Sequence, residues 1–81
     1  MVRVASIDLG SNSTRLLIAD ISNGDLNTIY KEHQVTRMAD KLSESKIISK
    51  DASKRVLKAL TSYFKIINRK NVENIQIVGT A

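Results

Sequence analysis

Several residue types that mark particular protein classes are absent or scarce in this sequence. It contains no cysteine, proline or tryptophan and a single histidine. Without cysteine there is no disulfide framework and no thiolate metal site, so nothing indicates an oxidising compartment. The apolar runs are far shorter than the roughly 20 residues that span a bilayer, and no segment typical of a secretory signal follows the first basic residue. These absences predict a cytoplasmic protein without a membrane segment.

Positive charge is in excess. Across 81 residues, 13 Lys+Arg against 8 Asp+Glu give a formal net charge of +5. This excess favours an anionic partner such as a phosphate ester, polyphosphate or nucleic acid, although a solubilising surface explains such a charge equally well. The basic residues form no block, and the aromatic residues Tyr30, Tyr63 and Phe64 lie in no single-strand stacking motif. Nucleic acid is therefore disfavoured as a partner.

The first half of the chain has the pattern of three β-strands. Residues 2–7 are apolar or small at nearly every position, which predicts a strand buried on both faces. Residues 15–21 predict a second strand, and the Asn23-Gly24 pair that follows it is a strong hairpin signal. The third predicted strand runs from Leu26 to about Met38, and its polar second half indicates an edge strand with a solvated face.

The period changes at Ser49, where an amphipathic helix is predicted to begin and to run to about Arg69. Ser49 can cap its N-terminus, and Asp51 places a negative charge in the first turn, where the helix dipole favours it. A last short strand is predicted at residues 75–78. The apolar positions of the helix recur at steps of three and four: Ala52, Val56, Ala59, Leu60, Tyr63, Phe64 and Ile67.

The predicted order is β-β-β-α-β, which defines an α/β fold with a mixed sheet. Short connections make the first three strands antiparallel neighbours, and the helix returns the chain so that the fourth strand lies parallel to the first by a right-handed crossover. One helix cannot cover both faces of a sheet whose first and last strands are predicted to be buried on both sides. Residues 1–81 are therefore expected to be the N-terminal fragment of a larger domain.

The connection between the first two predicted strands has the composition of an anion-binding turn. Its glycine lets the backbone approach a ligand or adopt a positive φ, and the next residues offer hydroxyls, an amide and consecutive N–H groups. The aspartate before it could hold a divalent metal ion, directly or through water, and the arginine after it could bind a phosphate oxygen. A plain β-hairpin accounts for the same composition. The candidates are Gly10, Ser11, Asn12, Ser13 and Arg15 for phosphate and Asp8 for metal.

Gly79-Thr80 is predicted to form a second small polar turn, after the last strand. Because the first and last strands are predicted to be parallel, both turns lie at the carboxyl edge of the sheet, where ligands bind in open α/β sheets. Thr80 is therefore a further candidate for phosphate binding. A catalytic or metal-binding role for His33 is disfavoured, since no partner stands at metal-ligand spacing. The P-loop and hydrolase-elbow motifs do not occur in the sequence.

The stretch from Ile7 to Ala19, with its opening Ile-Asp-Leu-Gly-Ser-Asn-Ser, resembles the start of the exopolyphosphatase/guanosine pentaphosphate phosphohydrolase (Ppx/GppA) family of the actin-like superfamily. The resemblance continues in order along essentially the whole chain. It includes Val35-Thr36-Arg37-Met38, Ile48-Ser49-Lys50-Asp51-Ala52 and Val78-Gly79-Thr80-Ala81. The departures from the usual family pattern are Thr14 for a larger apolar or aromatic residue, Met38-Ala39-Asp40 for a Leu-Gly start, and Gly79 for alanine.

The resemblance implies an enzyme that releases orthophosphate from polyphosphate or guanosine pentaphosphate. It implies a cleft between two ribonuclease H-like (actin-like ATPase) domains and assistance by Mg²⁺ or another divalent cation. Residues 8–13 would form the first phosphate loop, with Asn12 and Ser13 on phosphate oxygens, Arg15 nearby and Thr80 facing the same cleft. In that family the water-activating glutamate and the second phosphate loop lie downstream. No catalytic residue is therefore assigned within residues 1–81, and the isolated chain is expected to be inactive.

Two other functions stay open on the sequence alone. The Asp-x-Gly-Ser motif by itself also fits sugar kinases of the same superfamily. The positive charge and the turn also fit a non-catalytic module that binds polyphosphate or guanosine tetraphosphate. For the full-length protein we also expect that a homodimer can form.

Overall fold

The computed structural model describes residues 1–38 and 49–79. The elements in these residues are β1 Val2–Leu9, β2 Ser13–Ser22, β3 Asp25–Val35, α1 Lys50–Arg69 and β4 Asn74–Gly79. The strands form one mixed sheet in the order β3-β2-β1-β4, so the predicted α/β class and the β-β-β-α-β order are confirmed.

The strand pairing agrees with the prediction. β2 pairs antiparallel with β1 and with β3, and β4 pairs parallel with β1. Asn23 and Gly24 have φ values of 53° and 82°, the positive values that a two-residue hairpin needs. β3 lies at the sheet edge, as expected, but it ends at Val35 instead of near Met38. The reason is that Arg37, with φ 48°, leaves the extended backbone conformation.

The core lies between α1 and one face of β1 and β2. Successive residues of a strand point to opposite faces, so Ala5 and Ile7 share the helix-facing side with their register partners Ile18 and Leu16. None of these four side chains is more than 2% exposed. The helix completes the same core with Ala59, Tyr63 and Ile67.

Both ends of α1 are capped, the N-terminal end as predicted. Ser49 Oγ accepts a hydrogen bond of 3.1 Å from the Ala52 N–H, which satisfies one of the helix's free N-terminal donors. At the other end the Lys70 N–H donates to the Ile66 carbonyl at 3.1 Å, and Asn71 then takes a φ of 56° that ends the helix. Among the described residues no helical segment has the length and apolar character needed to cross a membrane.

Burial of β1 and β4 on both faces, which was predicted for a larger domain, is not reached within the described residues and stays a prediction. In β1 the buried residues are Ala5 and Ile7, on the helix-facing side. All of β4 is exposed, with Ile75 and Ile77 exposed by 47% and 51%. The cause is the position of α1, which packs on β1 and β2, whereas β4 lies at the sheet edge. Membership of residues 1–81 in a larger domain stays a prediction.

An ion pair joins β1, β2 and the end of α1. Arg3 donates from Nε and Nη2 to the two carboxylate oxygens of Asp20, at 2.8 and 3.1 Å. Its Nη1 donates to the Lys70 carbonyl at 2.8 Å, next to the last turn of the helix. The hydrogen bonds from Arg3 lower the pKa of the Asp20 carboxyl below its ordinary value of 3.8.

Replacing Asp20 with asparagine is expected to lower the melting temperature by several degrees at neutral pH and by progressively less in acid. Because the folded-state pKa of Asp20 lies below 3.8, the stability that it contributes is present above that pH and is lost as the pH falls through the folded value. Melting curves of the wild type and Asp20→Asn from pH 7 to pH 2 measure the difference. The exposed Asp25→Asn variant is the control, and a deficit in Asp20→Asn that does not shrink in acid would contradict the assignment.

Candidate phosphate-binding site

The β1–β2 turn, which consists of Gly10, Ser11 and Asn12, is short and tightly closed. β1 ends at Leu9 and β2 begins at Ser13. The Gly10 N–H donates to the Ser13 carbonyl at 2.9 Å, so this N–H is used inside the turn. Ser11 and Asn12 are exposed, and their N–H groups form no backbone hydrogen bond with the described residues. These N–H groups are therefore the turn's accessible donors for an anion.

The residues that follow β3 form hydrogen bonds with the backbone of the turn. The Asn12 carbonyl accepts hydrogen bonds from the N–H groups of both Thr36 and Arg37, at 3.1 and 2.9 Å. These two residues directly follow β3, where the backbone leaves the sheet through the left-handed conformation of Arg37. We call them the Thr36–Arg37 segment. Its contact with the turn explains why β3 stops at Val35, since the next N–H groups bond to the turn.

Helix α1 in turn holds the Thr36–Arg37 segment through Arg55. Arg55 Nε donates to the Thr36 carbonyl at 2.6 Å, and its Nη2 donates to the Arg37 carbonyl at 3.2 Å. Thr36 is 1% exposed, and its hydroxyl has no hydrogen-bond partner among the described residues. The helix, the segment and the turn are thus connected by a continuous set of hydrogen bonds.

Thr14, at the start of β2, is fixed from the core. The Tyr63 hydroxyl donates to the Thr14 carbonyl at 3.0 Å and lies 3.0 Å from Thr14 Oγ1, and both side chains are fully buried. Since the tyrosine has one hydroxyl proton, the Thr14 hydroxyl is the donor in the second bond. Burial raises the pKa of Tyr63, so it stays a neutral donor. Two hydrogen bonds to Tyr63 therefore satisfy the polar groups of Thr14 inside the core.

The turn opens onto a cavity of about 310 Å³ on the surface of the sheet. Asp8 and Arg15 are register partners in β1 and β2, so their side chains leave the sheet side by side. They follow Ile7 and precede Leu16, which face the helix, and therefore they project from the other face. Asp8 is half-buried and Arg15 is exposed. Among the described residues, the cavity is lined by Asp8, Gly10, Ser11, Asn12, Ser13 and Arg15.

Six of the seven residues singled out from the sequence thus line a single cavity, and the seventh, Thr80, lies outside the described residues. The sequence reasoning did not find the Thr36–Arg37 segment or Arg55 as parts of the site. One signal was available for Arg55. It stands three residues after Ala52 and four before Ala59, in the buried stripe of the helix, where a cation needs a specific partner.

The cavity offers oxygen ligands of the kind that Mg²⁺ accepts. Among the described residues no group of three or more His, Cys, Asp or Glu side chains could hold a metal ion by itself. Asp8 is the carboxylate of the lining, and serine and asparagine oxygens accompany it. Mg²⁺ is often bound by one or two carboxylates together with water and substrate phosphates, so this residue set fits such a shared site.

The strand order and the helix are those of an actin-like fold, which is also the fold of the Ppx/GppA structural neighbours. The Ppx/GppA phosphatase family model matches residues 17–81. The chain belongs to the Ppx/GppA phosphatase family. That match begins within β2 and does not include the β1–β2 turn.

Those relatives include both types of enzyme that the family name combines. The chain is 32% identical to exopolyphosphatase 2 of Mycobacterium tuberculosis over 100% of its own length and 27% of that protein. It is 39% identical to the guanosine-5'-triphosphate,3'-diphosphate pyrophosphatase of Aliivibrio fischeri, over 95% of the chain and 16% of that protein. The chain thus spans about a quarter or less of these relatives.

The solved structure of the Aquifex aeolicus Ppx/GppA family member has the same arrangement. It superposes with a TM-score of 0.93 at 36% identity and covers 96% of this chain, which corresponds to 26% of that chain. This superposition includes nearly the whole described sheet and helix.

Proposed function

We propose that the full-length protein is a phosphohydrolase that releases orthophosphate from polyphosphate, guanosine pentaphosphate or both, and that these residues bind phosphate at its cleft. The observation that carries the proposal is the convergence of Asp8, the β1–β2 turn and Arg15 around one cavity. Relatives named exopolyphosphatase and guanosine pyrophosphatase support the reaction class.

The binding chemistry follows from the donors around the cavity. A phosphate placed over the turn would receive hydrogen bonds from the Ser11 and Asn12 N–H groups, in the manner of a backbone nest. The hydroxyls of Ser11 and Ser13 add neutral donors, and the guanidinium of Arg15 adds a fork that matches two phosphate oxygens. The net charge of +5 attracts polyanions over a longer range. Thr80, which follows Gly79 at the end of β4, stays a predicted phosphate contact.

We propose Asp8 as the protein ligand for Mg²⁺ or another divalent cation, bound directly or through water. When bound, such an ion would supply Lewis-acid polarisation of a phosphoryl oxygen. The β1–β2 turn and Arg15 would orient the phosphate and offset its negative charge. We assign no general base within residues 1–81, and we propose that hydrolysis needs groups from outside this sequence.

The direct test is phosphate release by the full-length protein with long-chain polyphosphate and with guanosine pentaphosphate, each with and without Mg²⁺. Magnesium-dependent release from at least one substrate is the expected result. Transfer of phosphate from ATP to a sugar, without release from either substrate, would favour a kinase. Salt-sensitive binding of polyphosphate without any turnover would favour a binding module.

Replacing Asp8 with asparagine is expected to raise the Mg²⁺ concentration for half-maximal activity by about tenfold, because a neutral amide oxygen binds a hard cation more weakly than a carboxylate. The measurement is a Mg²⁺ titration of phosphate release at saturating polyphosphate. Asp25→Asn, at the exposed end of the distant hairpin, removes the same charge and should leave the titration unchanged. An unchanged titration in Asp8→Asn would remove Asp8 from the metal site.

A further inference from the structure

We propose that Arg55 is a positioning residue that holds the β1–β2 turn in its phosphate-binding form through the Thr36–Arg37 segment. The inference rests on the proposed function of the turn. Arg55 is not part of the cavity lining, so its effect on a bound phosphate would be transmitted through backbone hydrogen bonds.

The contacts form two successive layers. In the first, the planar guanidinium of Arg55 holds two consecutive carbonyls, those of Thr36 and Arg37, at 2.6 and 3.2 Å. In the second, the N–H groups of the same two residues converge on the carbonyl of Asn12 at 3.1 and 2.9 Å. Arg55 thereby holds the segment through its carbonyls, and the segment holds the turn through its N–H groups.

The backbone of the Thr36–Arg37 segment needs such support. Arg37 has a φ of 48°, a conformation that non-glycine residues seldom adopt without surrounding contacts. A guanidinium is suited to hold it, because its N–H donors lie in one rigid plane and its charge strengthens each hydrogen bond. Arg55 is half-buried on α1, which is itself anchored to the core by Tyr63 and Ile67. The helix therefore holds Arg55, and through it the segment, in a fixed position.

The consequence for phosphate binding follows from peptide geometry. The Asn12 carbonyl lies two backbone torsions away from the Asn12 N–H, which is one of the accessible donors of the turn. When the Thr36–Arg37 segment holds this carbonyl, it restricts those torsions and so limits the directions that the Asn12 N–H can take. Turn donors held in this way lose less conformational freedom when an anion binds.

The test compares Arg55→Ala and Arg55→Lys with the wild type in the full-length protein, with Lys58→Ala as the control. Lys58 is an exposed cation on the same helix, so its removal changes the charge equally without touching the segment. The first readout is amide hydrogen exchange at Thr36 and Arg37, which needs no substrate. The second is the separate measurement of KM and kcat with polyphosphate.

For Arg55→Ala we expect these amides to exchange at least about tenfold faster, and KM to rise about tenfold with kcat changed by less than about twofold. Arg55→Lys should give a smaller change of the same kind, and it replaces the alanine variant if the latter does not fold. A structural role alone would lower the folded fraction and apparent kcat without moving KM.

Three outcomes would overturn the inference: unchanged exchange in Arg55→Ala, an unchanged KM, or an equal effect in Lys58→Ala. A wild-type protein that is inert toward both polyphosphate and guanosine pentaphosphate would instead overturn the proposed function. In that case, faster exchange in Arg55→Ala would still show that Arg55 stabilises the Thr36–Arg37 segment. The two failures are therefore distinguishable.

Discussion

Replacing Arg15 with alanine is expected to lower kcat/KM for long-chain polyphosphate by roughly a hundredfold in the full-length protein, since charged hydrogen bonds contribute strongly to binding. Arg15 is exposed at the mouth of the cavity, beside Asp8 in the strand register. It is the cation of the lining and can bind two phosphate oxygens with one guanidinium. Its loss therefore removes both charge and directional contacts. Steady-state phosphate release across a range of polyphosphate concentrations measures the effect.

Two further variants separate the directional role of Arg15 from its charge. Arg15→Lys keeps the charge and loses the planar fork, so we expect an intermediate loss of about tenfold. Lys31→Ala removes an exposed cation from the neighbouring strand β3, outside the lining, and should change kcat/KM by less than about twofold at physiological salt. Equal losses in Arg15→Ala and Lys31→Ala would show that overall charge, and not a contact from Arg15, governs substrate binding.

Much of the fold could be predicted because local signals and burial agree along most of the chain. The positive φ values at Asn23 and Gly24 were predictable, because the two-residue hairpin has few other solutions. The cap at Ser49 could also be predicted, because serine is strongly preferred as the N-cap residue directly before an amphipathic helix. Parallel pairing of β1 and β4 followed from the helix between them, which must return the chain to the same end of the sheet.

Burial of the sheet was less predictable than its topology. The composition of a strand shows that its side chains are apolar. It does not show which face of the sheet α1 covers. The isoleucines of β4 are as apolar as Ile7 of β1, but α1 covers only Ile7. Phe64, on the same helix as Tyr63, is 38% exposed for a similar reason. The position of a single helix over a sheet depends on long-range packing, which a sequence pattern does not encode directly.

The candidate site shows the same division. The residues that line the cavity are close in sequence, so the strand register brings them together automatically. The residues that support them lie far along the chain, and their contacts use backbone groups. Arg55 donates to the backbone carbonyls of Thr36 and Arg37, and every residue has a carbonyl, so the sequence pattern does not identify these particular partners. Tyr63 was found as a core residue, whereas its bonds to Thr14 were not.

The contact between Tyr63 and Thr14 is expected to make Tyr63 one of the residues on which stability depends most. Tyr63→Ala should lower the free energy of unfolding by about 3–5 kcal/mol, because it empties a fully buried aromatic position in the core. Tyr63→Phe keeps the ring and removes the hydroxyl that bonds to the Thr14 carbonyl and hydroxyl. It should lower the free energy by about 1–3 kcal/mol, the cost of leaving buried polar atoms unpaired. Denaturant unfolding followed by circular dichroism measures each change.

Phe64→Ala is the matched control for this prediction, since Phe64 is the adjacent aromatic residue on the same helix and is partly exposed. Its truncation should destabilise the protein by less than about 1 kcal/mol, in the range of surface substitutions. The double variant Thr14→Val/Tyr63→Phe, compared with its two single variants, tests the hydrogen bond between the two hydroxyls. Removing both hydroxyls leaves fewer unpaired groups than removing one, so the double variant should be less destabilised than the sum of the single changes. Additive losses would mean that the bond between the two hydroxyls does not contribute to stability, because the bond from Tyr63 to the Thr14 carbonyl is unaffected by Thr14→Val.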